Sequence, residues 1–195
     1  MDVIAVENVS KAYDEMPVLQ NVNFTFPKGE LSIILAPSGR GKTTLFRLLM
    51  QLEQPDCGTI HGLANQRFSA VFQEDRLLDH LDAYQNIRLP SIGKKNLPSH
   101  TEIAEGMRQM QLFDCQNKVV GALSGGMKRR VAILRALFAP CDILLLDEPF
   151  KGLDDATKRS TMHYVKKSIQ GKTTLMITHD TQEVAFMNPC TVVTL

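Results

Sequence analysis

The chain of 195 residues has no tryptophan, four cysteines and almost no excess of charge, with 22 lysines and arginines against 21 aspartates and glutamates. Each shortage excludes something. A net charge of +1 gives no basic footprint for nucleic acid or an anionic membrane, so no nucleic-acid partner is expected. Cys57, Cys115, Cys141 and Cys190 are scattered without a Cys-x-x-Cys spacing; a zinc site is not expected, and they read as free thiols in a reducing compartment. No apolar run approaches the roughly 18–20 residues that cross a bilayer. The start, Met1-Asp2-Val3-Ile4, lacks a basic segment followed by a long apolar one, so no secretory signal is expected. Internal repeats and low-complexity tracts are missing as well. These absences leave a cytosolic chain with an apolar content of 44%, enough for the core of one domain with room for an insert. Any membrane role must come through a partner.

One stretch organises the rest: Ile33-Ile34-Leu35-Ala36-Pro37-Ser38-Gly39-Arg40-Gly41-Lys42-Thr43-Thr44-Leu45. A short apolar run fit for a buried strand feeds a Gly-containing loop, and a helical pattern follows at Leu45, Leu48, Leu49 and Leu52. Such a loop turns backbone N–H groups toward anionic oxygens, and the helix N-terminus adds partial positive charge. Lys42 then supplies a point charge to β- and γ-phosphates, and the Thr43 hydroxyl a ligand for Mg²⁺. The strict pattern G-x-x-x-x-G-K-[ST] fails by one residue, because its first glycine falls on Ala36. The loop survives that change if position 36 keeps φ below zero. A second Gly171-Lys172-Thr173-Thr174 precedes its apolar run instead of following one, and reads as a turn entering a strand.

Ahead of this loop, residues 3–9 and Val22–Phe26 suit strands, with Pro27-Lys28-Gly29 as a turn, so a small antiparallel sheet is expected there. Tyr13 lies between the two in a polar stretch, where a half-buried strand-end ring and a base-stacking ring are both open readings. Short strands are expected at Thr59–Gly62 and Ser69–Phe72, the second ending at Gln73. From 74 to 120 the pattern turns helical, at Leu77–Leu89 and at Thr101–Leu112 with Thr101 as cap; this reads as a helical subdomain inserted into the sheet domain. Leu123-Ser124-Gly125-Gly126-Met127 then opens a helix through Val131, Leu134, Leu137 and Phe138, with Ser124 as a cap that can also serve an anion. Lys128, Arg129 and Arg130 read as a solvated basic face.

Cys141-Asp142-Ile143-Leu144-Leu145-Leu146-Asp147-Glu148-Pro149 is the second strong signal. Four apolar residues in a row suit a strand buried on both faces. It ends in adjacent carboxylates, and alternation along a strand points Asp147 and Glu148 in different directions, one toward a metal and the other toward a water. Gly152-Leu153-Asp154-Asp155 is a turn capping a helix at Ala156–Ile169, Thr173–Thr178 is another buried strand ending at His179, and a helix at Thr181–Met187 and a strand at Thr191–Leu195 close the chain. Gln73, Asp147, Glu148 and His179 all stand at strand ends, as a site along one sheet edge requires.

Taken in order, these motifs resemble those of the ATPase subunit of an ABC transporter over essentially the whole length. Ala36–Thr43 is similar to the Walker A loop, Gln73 to the Q-loop, Leu123–Gly126 to the signature motif, Ile143–Asp147 with Glu148 to Walker B, Gly152-Leu153-Asp154 to the D-loop and His179 to the H-loop. The resemblance implies a P-loop NTPase core of the RecA-like α/β class, an N-terminal antiparallel β subdomain and an inserted helical signature subdomain at about 74–122, within one domain of 1–195. It implies ATP contacts at Ala36, Pro37, Ser38, Gly39, Arg40, Gly41, Lys42, Thr43, Thr44 and Gln73, with Tyr13 stacking on adenine. Thr43, Gln73 and Asp147 would serve Mg²⁺, Glu148 would act as general base, and His179 and Lys42 would assist at the γ-phosphate. Ser124, Gly125 and Gly126 would reach the ATP of a second, identical subunit, with Asp154 linking the two.

The implied partners are that second subunit, a membrane permease and a solute-binding protein, with the chain peripheral on the cytoplasmic face of the cell membrane. The segment Val71–Leu78 is similar to that of importer subunits for nitrate, sulfonates and taurine. An exporter or lipid-handling ATPase, and a soluble ATPase of the same family, are the alternatives. The chain departs from the family pattern at Ala36, at Met127 where the signature usually has Gln, and at Lys151-Gly152 before Leu153. No regulatory extension is expected after the His179 region.

Overall fold

The computed structural model describes residues 3–37, 39–94 and 97–195. Strands β1 (Val3–Tyr13), β2 (Met16–Pro27) and β4 (Cys57–His61) form an antiparallel sheet in the order β2-β1-β4. The β1–β2 turn is tight because Asp14 and Glu15 both take positive φ, 48° and 64°, the conformation that matches the twist of a hairpin. Strands β3 (Leu31–Leu35), β5 (Phe68–Val71), β6 (Ile143–Asp147), β7 (Thr173–Thr178) and β8 (Thr191–Thr194) form a wholly parallel sheet in the order β5-β6-β7-β3-β8.

Every residue of β6 and β7 is buried, so the apolar run of β6 divides its side chains between two cores. Ile143 and Leu145 face one core with Ile34, Leu175, Ile177, the antiparallel sheet's Ile4, Val6 and Phe26, and Leu45 and Leu49 of helix α1 (Lys42–Leu49). Leu144 and Leu146 face the other with Ile33, Met176, Ile103, Val131, Leu134 and Val165. That second face is covered by helices α2 (Ala83–Arg88), α3 (His100–Gln109), α4 (Gly125–Phe138) and α5 (Asp155–Ser168), while α6 (Thr181–Met187) follows β7. The parallel register aligns Leu35 with Thr178, Asp147 with Ile177 and Val71 with Leu146, which brings the strand ends to one edge of the sheet.

Two helix boundaries differ from expectation. The segment from Leu77 to Asp82 is not helical, and α2 starts only at Ala83. The cause is Asn86, fully buried, whose amide donates to the carbonyls of Leu78 and Asp82, each at 3.0 Å, and accepts from Leu78 N–H at 2.9 Å. This side chain satisfies main-chain groups that a helix would have paired internally, and Asp82 with Gln85 closes a capping box just after it. In α3 the cap is Ser99, paired with Glu102 in a second capping box, and Thr101 sits inside the first turn.

Candidate functional site

The loop after β3 begins at Ala36, which is fully buried, donates its N–H to Thr178 O at 3.0 Å and does not take a positive φ. Alanine therefore fits where the strict pattern asks for glycine. Gly41, by contrast, has φ +78°, and a Cβ there would lie 2.8 Å from Leu19 Cδ2 and 3.0 Å from Val18, so the loop's approach to β2 depends on glycine. Gly39 and Arg40 are exposed, Thr43 is exposed, and Thr44 is buried beneath the helix start. Ser38, an expected member of the loop, lies outside the described residues.

Lys42 turns back across the sheet edge to donate to Glu148 Oε1, and both side chains are nearly buried, at 10% and 7% exposure. His179, at the end of β7, places Nδ1 3.1 Å from the same oxygen. Lys151 lies 3.6 Å from Oε2, so the departure at this position puts a second cation beside the carboxylate. Among the described residues Oε2 itself is buried without a hydrogen-bond partner. Burial pushes the Glu148 carboxyl up, but Lys42 and His179 outweigh it and hold it below its ordinary value. Asp147 goes the other way: burial first, then the charge of Glu148, raises it. Asp147 ends β6, while Glu148, just past the strand with φ +43°, turns to Lys42 and His179, so the two carboxylates meet different surroundings.

Beside this cluster a cavity is lined by Thr43, Phe46, Phe72, Gln73, Arg76 and Asp147, which brings the three expected metal-side residues together. Gln73 is exposed just past β5. Among the described residues no three or more His, Cys, Asp or Glu side chains group to hold an ion. Tyr13, at the end of β1, is 39% exposed and donates its hydroxyl to Glu53, which follows α1.

At the other end, Ser124 caps α4 and accepts from Met127 N–H at 3.3 Å; Ser124 and Gly125 are exposed, and a Cβ on Gly125 would meet nothing. Gly126 lies against Leu153, one residue before Asp154, which caps α5 by accepting from Thr157 N–H. Among the described residues no hydrogen bond joins Ser124, Gly125 or Gly126 to the phosphate loop. Met127 packs against the core beneath the helical layer, where an apolar side chain suits it better than an amide.

The basic run after the signature is the main correction. Arg129 and Arg130 are buried, at 4% and 9% exposure, and are no solvated face. Arg130 donates to the carbonyls of Met110 and Gln111 and ties the end of α3 to α4. Arg129 reaches the carbonyls of Asp147, Glu148 and Pro149. The signal was present in the sequence, because at helical spacing Arg129 shares a face with Ala132, Ile133 and Ala136, all buried.

A family profile described as ABC transporter matches residues 19–151. The formylaminopyrimidine import ATP-binding protein ThiZ of Halalkalibacterium halodurans is 38% identical over 96% of this chain and 77% of its own length. The spermidine/putrescine import ATP-binding protein PotA of Acetivibrio thermocellus is 38% identical over 98% of this chain, which spans 58% of that relative's length. Among solved structures, the dimeric bacterial ABC transporter cassette MJ0796 superposes with a TM-score of 0.84 at 30% identity, covering 98% of this chain and 94% of the other. A post-hydrolysis dimer of the same cassette, bound to ADP and Pi, matches at 0.83. The fold is the P-loop α/β cassette of these structures, and the chain belongs to the ABC transporter family as an ATP-binding cassette.

Proposed function

We propose that this chain is the ATP-binding and ATP-hydrolysing motor of an ABC importer. The observation that carries the proposal is the cluster at the sheet edge, where the Lys42 ammonium and the His179 ring share one oxygen of the Glu148 carboxylate while the other, with Lys151 3.6 Å away, has no hydrogen-bond partner among the described residues. Phosphoryl transfer needs placed charge more than covalent chemistry. Lys42 and the loop N–H groups from Gly39 to Thr44 would hold the phosphates, with Ala36, Pro37 and Ser38 completing the loop and Tyr13 against the base. Lys42 must leave Glu148 to do so. Glu148 then stays buried and ionised, and its Oε2 accepts the proton of the attacking water. His179 stays on the carboxylate and orients it.

The residues fit a Mg²⁺ ion that arrives with the nucleotide. Asp147 is a buried carboxylate pushed toward its protonated form, which a cation would relieve, and Thr43 and Gln73 line the same cavity. One carboxylate, one hydroxyl and one amide carbonyl suit an ion that keeps waters and phosphate oxygens in its shell. Bound there, the ion would neutralise charge building on the β- and γ-oxygens.

Ser124, Gly125 and Gly126 would complete the site of a second copy, as their exposure and the dimeric form of the MJ0796 cassette favour. Residues 74–122 would act as the inserted subdomain that relays closure to a permease, with Gln73 at its base. The import names of the relatives favour uptake fed by a solute-binding protein, with the chain peripheral on the cytoplasmic face. The test is capture of the tagged chain from detergent-solubilised native membranes, with proteins identified by mass spectrometry and ATP turnover read on the captured complex. A multi-span permease with ATP turnover is expected. A preparation without any membrane-spanning protein, repeated with Glu148→Gln and ATP, contradicts the transporter role.

A further inference from the structure

We propose that Arg129 is the positioning residue that sets the backbone of Glu148 and ties it to the Gln73 segment. The proposal rests on Glu148 acting as the base. A guanidinium has five N–H donors in a planar fork, and the structure gives Arg129 partners on all three of its nitrogens. Nε donates to Pro149 O at 2.9 Å, and Nη2 donates to Asp147 O at 2.8 Å and Glu148 O at 2.7 Å. Nη1 donates to Phe72 O, to Asp75 Oδ1 at 3.0 Å and, at longer range, to Gln73 O at 3.5 Å. Asp75 supplies the countercharge for a cation that is 4% exposed.

Glu148 needs such a clamp. Its φ is +43°, a left-handed conformation that a side-chain-bearing residue takes only when its surroundings hold it there. The peptide group before its Cα is fixed by Arg129 on the Asp147 carbonyl and by Glu148 N–H donating to Ile177 O at 2.9 Å. The peptide group after it has no N–H, because Pro149 follows, so it is held only through the Glu148 carbonyl, which accepts from Arg129 and, at 3.2 Å, from Lys151 N–H. Both planes that define the Cα–Cβ direction of Glu148 are therefore gripped by one side chain. The same side chain grips the carbonyls after β5, so the base and the Gln73 segment move as one unit with α4, whose first residues follow Ser124. Arg130, also buried on the same helix, has among the described residues no hydrogen bond to these groups and holds α3 instead.

Arg129→Lys keeps the charge but loses the fork. It is expected to lower kcat for ATP by about 10- to 100-fold, the cost of a base displaced by roughly 1 Å, with KM and nucleotide affinity within about twofold. Free guanidinium, well below unfolding concentrations, is expected to restore part of the kcat lost in Arg129→Ala. A second readout does not depend on turnover. Hydrogen exchange in the nucleotide-free chain is expected to quicken at the Glu148 and Lys151 amides in Arg129→Lys, and to stay at the wild-type rate there in Arg130→Lys.

If Arg129→Ala does not fold, Arg129→Lys and Arg129→Gln carry the same comparison by exchange. Unchanged kcat with unchanged exchange at 148 and 151 overturns the proposal, as does a loss of affinity equal to the loss of kcat. A wild-type chain that binds and hydrolyses no ATP instead removes the base role of Glu148, while exchange still decides whether Arg129 holds this backbone.

Discussion

At the end of the parallel sheet, Lys42, Glu148 and His179 are already in contact and mostly out of water. At the start of α4, Ser124 and Gly125 are exposed, and among the described residues the Ser124 hydroxyl is engaged only with its own helix. The first region stores charge in an organised, low-dielectric place; the second offers free donors with nothing to receive them. The contrast is between a packed, charged sheet end and an exposed helix start, and under the proposed function two copies facing each other would join one to the other.

The sharpest way to break this contrast is at the base. Glu148→Gln keeps the volume and removes the acceptor, and turnover should fall by roughly 10²–10⁴, with nucleotide binding retained because Lys42 is freed. Steady-state turnover within twofold of wild type would take Glu148 out of the role. Next in size is Lys42→Met. Removing the nearest cation leaves the buried carboxylate only the His179 ring and the more distant Lys151, and urea unfolding of the nucleotide-free chain should show a loss of about 1–3 kcal/mol. Lys42→Met combined with Glu148→Gln should recover most of that loss, because no charge is then stranded.

The carboxylate pair sharpens the comparison without a mutation. Glu148 has a folded value below its ordinary one, so the stability it lends is present above its unfolded pKa and is lost as pH falls through the folded value. Asp147 has a folded value above its ordinary one, so stability falls as pH rises from the ordinary value to the raised one. Carboxyl NMR of the nucleotide-free chain should therefore show the pair's apparent titrations on opposite sides of the usual range. Titration of both in that range would remove the buried-cluster account. The smallest effect belongs to the exposed helix start: Ser124→Ala should cost the isolated chain about 1 kcal/mol, the worth of a helix cap, while lowering turnover of the paired form more than that of the lone chain.

Much of the sheet end was legible in the sequence because strand ends and turn residues announce themselves locally. The apolar run of Ile143–Leu146, the glycines before Lys42 and the polar residues at three strand tips each depend on neighbours a few positions away. The parallel register then aligned them. What was not legible depended on which side chain captured a main-chain group, sometimes a few positions away and sometimes far along the chain. Leu77–Leu81 has the leucines of a helix, yet Asn86 holds that segment as a loop through its own amide. The helical face that Arg129 shares with Ala132, Ile133 and Ala136 hinted at its burial, but the carbonyls it serves lie 18 to 57 positions away and could not be read. Thr101 lost the capping role to Ser99 because the Glu102 carboxylate reaches back to Ser99 N–H at 2.8 Å. The Lys42–Glu148 contact across the sheet edge was likewise visible only in three dimensions.

Under the proposed function, half of each nucleotide site comes from another chain. Multi-angle light scattering of Glu148→Gln, with and without Mg²⁺ and ATP, tests it most directly. The account predicts a monomer that becomes a dimer when ATP is added, and a Ser124→Arg second change that binds ATP but stays monomeric. A chain that binds ATP at Lys42 yet remains a monomer at every protein concentration, or that dimerises equally without nucleotide, would contradict it.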